Sequence, residues 1–171
     1  ATVNVLHEWM DARYLKTHAF GRPTEEERER PRFWRYWRVL PGNGELGLYL
    51  GAWPQAAIAD RGLRRIGKSA FERRLDHILR FEKTLIDEGA LLLKFWLQIP
   101  KKELRKRLAR AKKDPEQNWR VGETDNTIYE NWNNFLPLAE RLLEHSNQGP
   151  AVWHVVHSTE ERHRNLEVAE T

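Results

Sequence analysis

The chain has 171 residues, with 29 lysines and arginines against 25 aspartates and glutamates and a formal net charge of +4. That length suits one domain with a buried core, and 40% hydrophobic with 11% aromatic residues excludes a disordered chain. The lack of any cysteine excludes disulfides, thiol nucleophiles and thiolate metal sites, and no apolar run approaches the ~20 residues of a membrane helix.

The chain opens in helical periodicity, with Val3, Leu6 and Met10 on one face, and lacks an initiator Met; a fragment or a processed product is expected. Lys16 to Phe20 reads as a short strand. Thr24 is an N-cap with Glu27 as its capping-box partner, and the helix it starts is expected to run towards Leu40 with Pro31 as a break or kink. Between Pro31 and Trp53 aromatic and guanidinium groups alternate. That pattern, followed by the turn Pro41-Gly42-Asn43-Gly44, aims several cations at the carboxyl end of a buried strand, Glu45 to Leu50.

Ala56 to Lys68 is ambiguous. Ser69 to Glu88 is a helix with Phe71, Leu75, Ile78 and Leu85 in step and Gly89 at its stop. Ala90 to Ile99 is continuously apolar and fits an interior parallel strand buried on both faces. Lys101 to Lys113 is a helix with eight basic residues against one Glu, ended by Asp114-Pro115. Thr124 to His145 is another helix, Val152 to His157 a strand, and Ser158 or Thr159 the cap of a last helix. Strands alternating with helices predict a three-layer α/β fold with a mostly parallel sheet.

A basic helix is most often a solvated face, but this one follows a buried strand and leads to Asn118-Trp119-Arg120. In nucleotide kinases a basic helical hairpin in that place closes over phosphates. The seven histidines show no paired metal spacing, and neither a Ser-His-Asp set nor a Glu123–Asp125 acid/base pair can be argued. No nucleic-acid motif stands in the chain, so DNA binding through residues 101–113 has little support, and neither a DNA nor a membrane partner is expected.

The segments LHEWMDAR, RPTEEERERPRFWRYWRVLPGNGELGLYLGAW, RFEKTLIDEGALLLKFWLQIPKKELRKRL, KKDPEQNWRV and AVWHVV, collinear over almost the whole chain, resemble the polyphosphate kinase 2 family. Within it they are most similar to the amino-terminal half of tandem-domain polyphosphate:AMP phosphotransferases. The resemblance implies a P-loop kinase-like fold akin to thymidylate kinase, over residues 1–171 as one partial domain with a lid near 101–125. It implies phosphoryl transfer between inorganic polyphosphate and adenine nucleotides, and magnesium as cofactor; with no membrane-helix run and no signal peptide visible, a cytoplasmic location is the default expectation. A second domain of the same kind, or an identical subunit, is the implied partner.

Residue by residue, Arg13 matches the Arg of a Pro-Arg pair, Arg35 an arginine of the helix before the second strand, and Lys94 the lysine of a Lys-Phe-Trp strand. Asp114, Trp119 and Arg120 match the lid. By resemblance Arg13, Arg35, Lys94 and the lid cations Arg105, Arg110, Lys112, Lys113 and Arg120 are phosphate- or nucleotide-binding candidates, with Asp114 and Trp119 shaping the lid. Plainer roles compete: Arg35 can pair with a Glu of its own helix, and Trp119 can be a packing residue.

Two departures stand out. No GxxxxGK[ST] phosphate loop stands ahead of the segment matching Thr2-Val3-Asn4, where the family carries it, and the strand leading into it is absent with it; the letters of the pattern do occur downstream, as Gly62 to Ser69 (GLRRIGKS), but not in that place. Where catalytic members read Phe-Asp-Arg-Ser-Trp, residues 49–53 read Tyr-Leu-Gly-Ala-Trp. Leu50 stands in the place of the magnesium-binding carboxylate and cannot coordinate the ion. No metal ligand and no catalytic residue is therefore expected in this segment, which is read either as a silent part of the enzyme or as a half that binds polyphosphate or supports a separate catalytic domain.

Overall fold

A computed structural model describes residues 2–114 and 123–171. In chain order the elements are α1 (Thr2–Trp9), β1 (Leu15–Ala19), α2 (Glu25–Glu29), α3 (Trp34–Trp37), β2 (Leu46–Leu50), α4 (Trp53–Gly62) and α5 (Lys68–Asp87). They are followed by β3 (Lys94–Gln98), α6 (Lys101–Lys113), α7 (Glu123–Glu130), α8 (Trp132–Ser146), β4 (Trp153–His157) and α9 (Glu161–Glu170). No described helix is long and apolar enough to cross a membrane.

The fold is α/β with parallel strands, as expected, but the described strands form two separate pairs. β1 lies parallel to β2, with Leu15 opposite Leu46 and Ala19 opposite Leu50; β3 lies parallel to β4, with Lys94 opposite Trp153 and Gln98 opposite His157. Helices α2 and α3 make the first crossover and α6 to α8 the second, as parallel strands require. Two expectations need correction here. Residues 90–93 lie outside β3, and Leu91, Leu93 and Leu97 are exposed; Leu46 and Leu50 of β2 are also exposed. The apolar runs at β2 and β3 are therefore not buried on both faces among the described residues.

The capping box forms as read: Thr24 accepts from the Glu27 N–H, and Glu27 accepts from the Thr24 N–H at 2.9 Å. The helix does not continue to Leu40. Pro31 forces Arg30 into extended backbone (φ −92°, ψ 162°), so α2 stops and α3 starts afresh at Trp34. A similar division at Asn131 separates α7 from α8, and α8 carries Pro137 within it. At the last helix the N-cap is Glu160 and no side chain caps it; the Ser158 hydroxyl turns back to the Val156 carbonyl instead.

The core gathers on α5. Phe71, Leu75, Ile78, Phe81 and Leu85 pack on Tyr36, Trp53, Ala57, Phe135, Ala139 and Leu142. Burial of such side chains stabilises by roughly 1.5–3 kcal/mol each. The α4–α8 crossing needs Gly62, since a Cβ there would meet the Phe135 ring at 2.7 Å. At the far side α1 lies against α9, joined by Thr2 and Asn165 at 2.8 Å and by the Arg164 Nε–H donated to Thr2 Oγ1 at 2.8 Å. Neither of these two helices buries a residue.

Candidate anion-binding site

The lysine of β3 is the first correction at the site. Lys94 is 5% exposed, and its ammonium donates to Glu82 Oε2 at 2.8 Å and to the Ser146 carbonyl at 2.6 Å, with Nζ 5.0 Å from the centre of the Trp153 ring. Glu82, on α5, also accepts from Trp53 Nε1 at 2.9 Å, and Trp153 Nε1 donates to Ser146 Oγ. A lone buried charge is prohibitively costly, so this pair and its hydrogen bonds neutralise each other within the core. Lys94 is turned inward and does not present its charge to a solvent-borne phosphate.

Arg13 sits in the loop after α1, exposed, with Nε and Nη2 both bonded to the Asp11 carboxylate. Hydrogen bonds lower the Asp11 pKa, first from the Arg13 side chain and then from the Arg13 backbone N–H, and the same side-chain bonds raise that of Arg13. On α6, Leu108 and Ala111 face inward while Arg105, Arg110, Lys112 and Lys113 are exposed, with no carboxylate bonded to them among the described residues. Arg107 behaves differently: it donates to the carbonyls of Ser158 at 2.6 Å and Thr159 at 3.3 Å, which ties α6 to the carboxyl end of β4. Lys101 lies 5.5 Å from the centre of the Tyr129 ring of α7. Asp114 caps α6 through its backbone N–H. Trp119 and Arg120 lie outside the described residues.

Arg35 is drawn to the carboxyl end of β1. Its Nη1 donates to the Gly21 carbonyl at 3.2 Å, its guanidinium stacks 5.2 Å from the centre of the Phe20 ring, and Nε is 3.5 Å from Glu27 Oε1. The pairing Glu belongs to α2, not to Arg35's own helix. Nε is buried and makes no hydrogen bond at that distance.

Arg35 opens onto a cleft of about 400 Å³ between α2, α3, α4 and α5. Arg28, Arg30, Arg32 and Arg74 also line it, over an apolar floor that includes Tyr36, Trp53, Ala57 and Ile78. Asp60 pairs with Arg74. Burial, and next the charge of Arg74, lower the Arg32 pKa from its usual value against the counter-effect of Asp60, although the residue as a whole remains exposed. Burial likewise raises the Tyr36 phenol. Four of these arginines were not singled out from sequence. The alternation Arg28, Arg30, Arg32, Arg35 is the signal that could have found three of them; Arg74 arrives from α5 and left no local trace.

At the end of β2 the second departure acquires a geometry. Leu50 is 44% exposed, and Gly51 adopts φ +69°. A Cβ on Gly51 would lie 2.7 Å from the Phe20 carbonyl oxygen, because the Phe20 N–H donates to the Leu50 carbonyl and closes β1 against β2. This backbone has no room for an arginine side chain at that position. Leu50 itself supplies no oxygen ligand for magnesium, and no group of three or more His, Asp or Glu side chains among the described residues is placed to hold a metal ion.

The chain matches known proteins over its whole length. The family model described as polyphosphate kinase 2 matches residues 1–171. A polyphosphate:AMP phosphotransferase of Pseudomonas aeruginosa is 40% identical over 167 residues, 98% of this chain and 34% of that protein. An AMP/ADP-polyphosphate phosphotransferase of Meiothermus ruber is 28% identical, covering 96% of this chain and 61% of the relative. The solved structure of a polyphosphate kinase 2 from Arthrobacter aurescens TC1 superposes with a TM-score of 0.92 at 26% identity, over 98% of this chain and 59% of that one. The chain thus spans about a third of the length of the Pseudomonas relative.

Proposed function

The chain belongs to the polyphosphate kinase 2 family, and from that premise we propose that it is part of a polyphosphate-dependent nucleotide phosphotransferase, this segment holding anionic substrate without transferring phosphate itself. The observation that carries the second half of this reading is the end of β2. Leu50 supplies no ligand for magnesium, and the Gly51 backbone excludes the neighbouring arginine. In-line phosphoryl transfer depends on neutralising charge as it develops, and this strand end contributes neither group. What the chain does offer is exposed cation with no carboxylate bonded to it among the described residues, at Arg105, Arg110, Lys112 and Lys113 on α6.

The substrates are inorganic polyphosphate and an adenine nucleotide, the partner is a second domain of the same kind or an identical subunit, and the location is the cytoplasm, where nucleotides are available. A magnesium-dependent polyphosphate:AMP assay on the chain is expected to show no turnover above an Arg105→Gln/Arg110→Gln control. Turnover above that control overturns the silent reading. Polyphosphate affinity is expected to fall steeply with salt, as counterion release from a polyanion dictates, and a flat response counts against a grip.

One observation favours a second reading, a purely supporting half. Arg13 is already paired with Asp11, and Arg35 spends Nη1 on the Gly21 carbonyl. If the longer protein loses activity when this half is removed but keeps its polyphosphate affinity, support is the role.

A further inference from the structure

The cleft at Arg35 has a charge balance that the fold alone does not explain. Five arginines line it against two carboxylates, Glu27 and Asp60. Both acids are engaged: Asp60 holds Arg74 and lies 3.5 Å from Arg65, while Glu27 caps Thr24 and faces Arg35. Arg28, Arg30 and Arg32 therefore have no carboxylate bonded to them among the described residues. Like charges gathered along one cleft repel, and an anion entering it relieves that repulsion.

The rings around the cleft support the arginines. Arg30 lies 5.5 Å from the centre of the Trp34 ring, and Arg35 lies 5.2 Å from that of Phe20 and 5.7 Å from that of Tyr36. Stacking of this kind fixes guanidinium planes, which leaves their N–H edges for planar, paired recognition of phosphate oxygens. For a base edge the lining offers one side-chain hydroxyl, the Tyr36 phenol. No Asn, Gln, Ser or Thr lines the cleft, and the Trp53 N–H is spent on Glu82. A larger opening of about 510 Å³ between α4, α5 and α8 is a weaker candidate, because Glu72 already neutralises Arg141 there and Arg61 donates to the Ile66 carbonyl.

We propose that the cleft between α2, α3, α4 and α5 binds a short run of linked phosphate groups from inorganic polyphosphate, with Arg28, Arg30 and Arg32 as its rim and Arg35 and Arg74 as its base. The identity of the anion rests on the function proposed above; the place rests on the geometry. A nucleotide's phosphate tail shares the chemistry and is the competing source.

Calorimetric titration of the chain with tripolyphosphate, orthophosphate and AMP, at two salt concentrations, tests it. The variants are Arg28→Gln/Arg32→Gln, Arg105→Gln/Arg110→Gln and, as a charge control, Lys83→Gln, whose lysine is paired with Asp87 on exposed surface. Each lost charge-assisted contact is worth about tenfold, so the first double variant is expected to bind tripolyphosphate about a hundredfold more weakly. Its salt slope should drop by about one to two, while orthophosphate and AMP bind far less tightly than tripolyphosphate to the unaltered chain. An Arg28→Gln/Arg32→Gln response equal to that of Lys83→Gln, or AMP binding as tightly as tripolyphosphate, overturns the proposal. If only the α6 double variant loses affinity, the cleft is refuted and the proposed function stands; if tripolyphosphate does not bind the unaltered chain at low salt, both fall.

Discussion

Replacing Lys94 by Met tests whether this lysine serves the core or the substrate. The substitution leaves the Glu82 carboxylate, 2% exposed, with the Trp53 N–H as its remaining bonded partner, and it leaves the Ser146 carbonyl without its 2.6 Å donor. Removing one partner of a buried ion pair costs about 3–5 kcal/mol, a large share of the 5–15 kcal/mol by which domains are stable. With a urea m-value of about 2–3 kcal/mol/M, the midpoint should fall by roughly 1–2 M. Adding Glu82→Gln removes the orphaned charge and keeps an acceptor for Trp53, so the double variant should be about 2–3 kcal/mol more stable than additivity allows. The assay is equilibrium urea unfolding of the two single variants and the double. Additive losses, or a midpoint change within about 0.3 M for Lys94→Met, refute the argument. A folded Lys94→Met chain that has lost tenfold or more in tripolyphosphate affinity would return Lys94 to the binding site.

Gly62→Ala forces a methyl against the buried Phe135 ring and should cost about 1–3 kcal/mol by thermal unfolding, with Phe135→Leu in the same chain recovering part of the loss. Gly51→Ala meets the Phe20 carbonyl in a left-handed backbone and should cost more than about 1 kcal/mol, and Leu50→Asp by itself should confer no magnesium-dependent turnover. The Arg141 side-chain hydrogen bonds lower the Glu72 pKa in the folded chain, so this carboxylate's contribution is present above the usual glutamate value and lost as pH falls through the lowered one. Melting temperatures of the parent chain and Glu72→Gln should therefore differ slightly at neutral pH and converge below about pH 4; a gap that widens on acidification contradicts the assignment.

Local chemistry was legible in the sequence and remote partnership was not. Thr24 and Glu27 specify their capping box within four residues, and Gly89, at φ +88°, ends α5 where its spacing places a stop. Pro31 could be read as a kink or as an end; the extended Arg30 that it imposes decides for an end. The lysine within ALLLKFW looked like a substrate contact because its partner, Glu82, lies on another element, and no periodicity couples a charge on α5 to one on β3. The apolar runs at β2 and β3 read as interior strands, whereas each strand pairs with one neighbour among the described residues. At the cleft, the stretch from Arg28 to Arg35 announced its cations, but Asp60 and Arg74 reach it only through the crossing of α4 and α5.

The contact between α1 and α9 has a topological consequence. Thr2 touches Asn165, and Thr171 lies six residues further along, about 9 Å if the helical rise continues. A linker of a few glycines can therefore join the two ends, and the ring so formed can be reopened at the exposed turn Gly42-Asn43-Gly44. Such a permuted chain would retain every contact of the core and of the arginine cleft, while β1 and β2 would come to lie at opposite ends of its sequence.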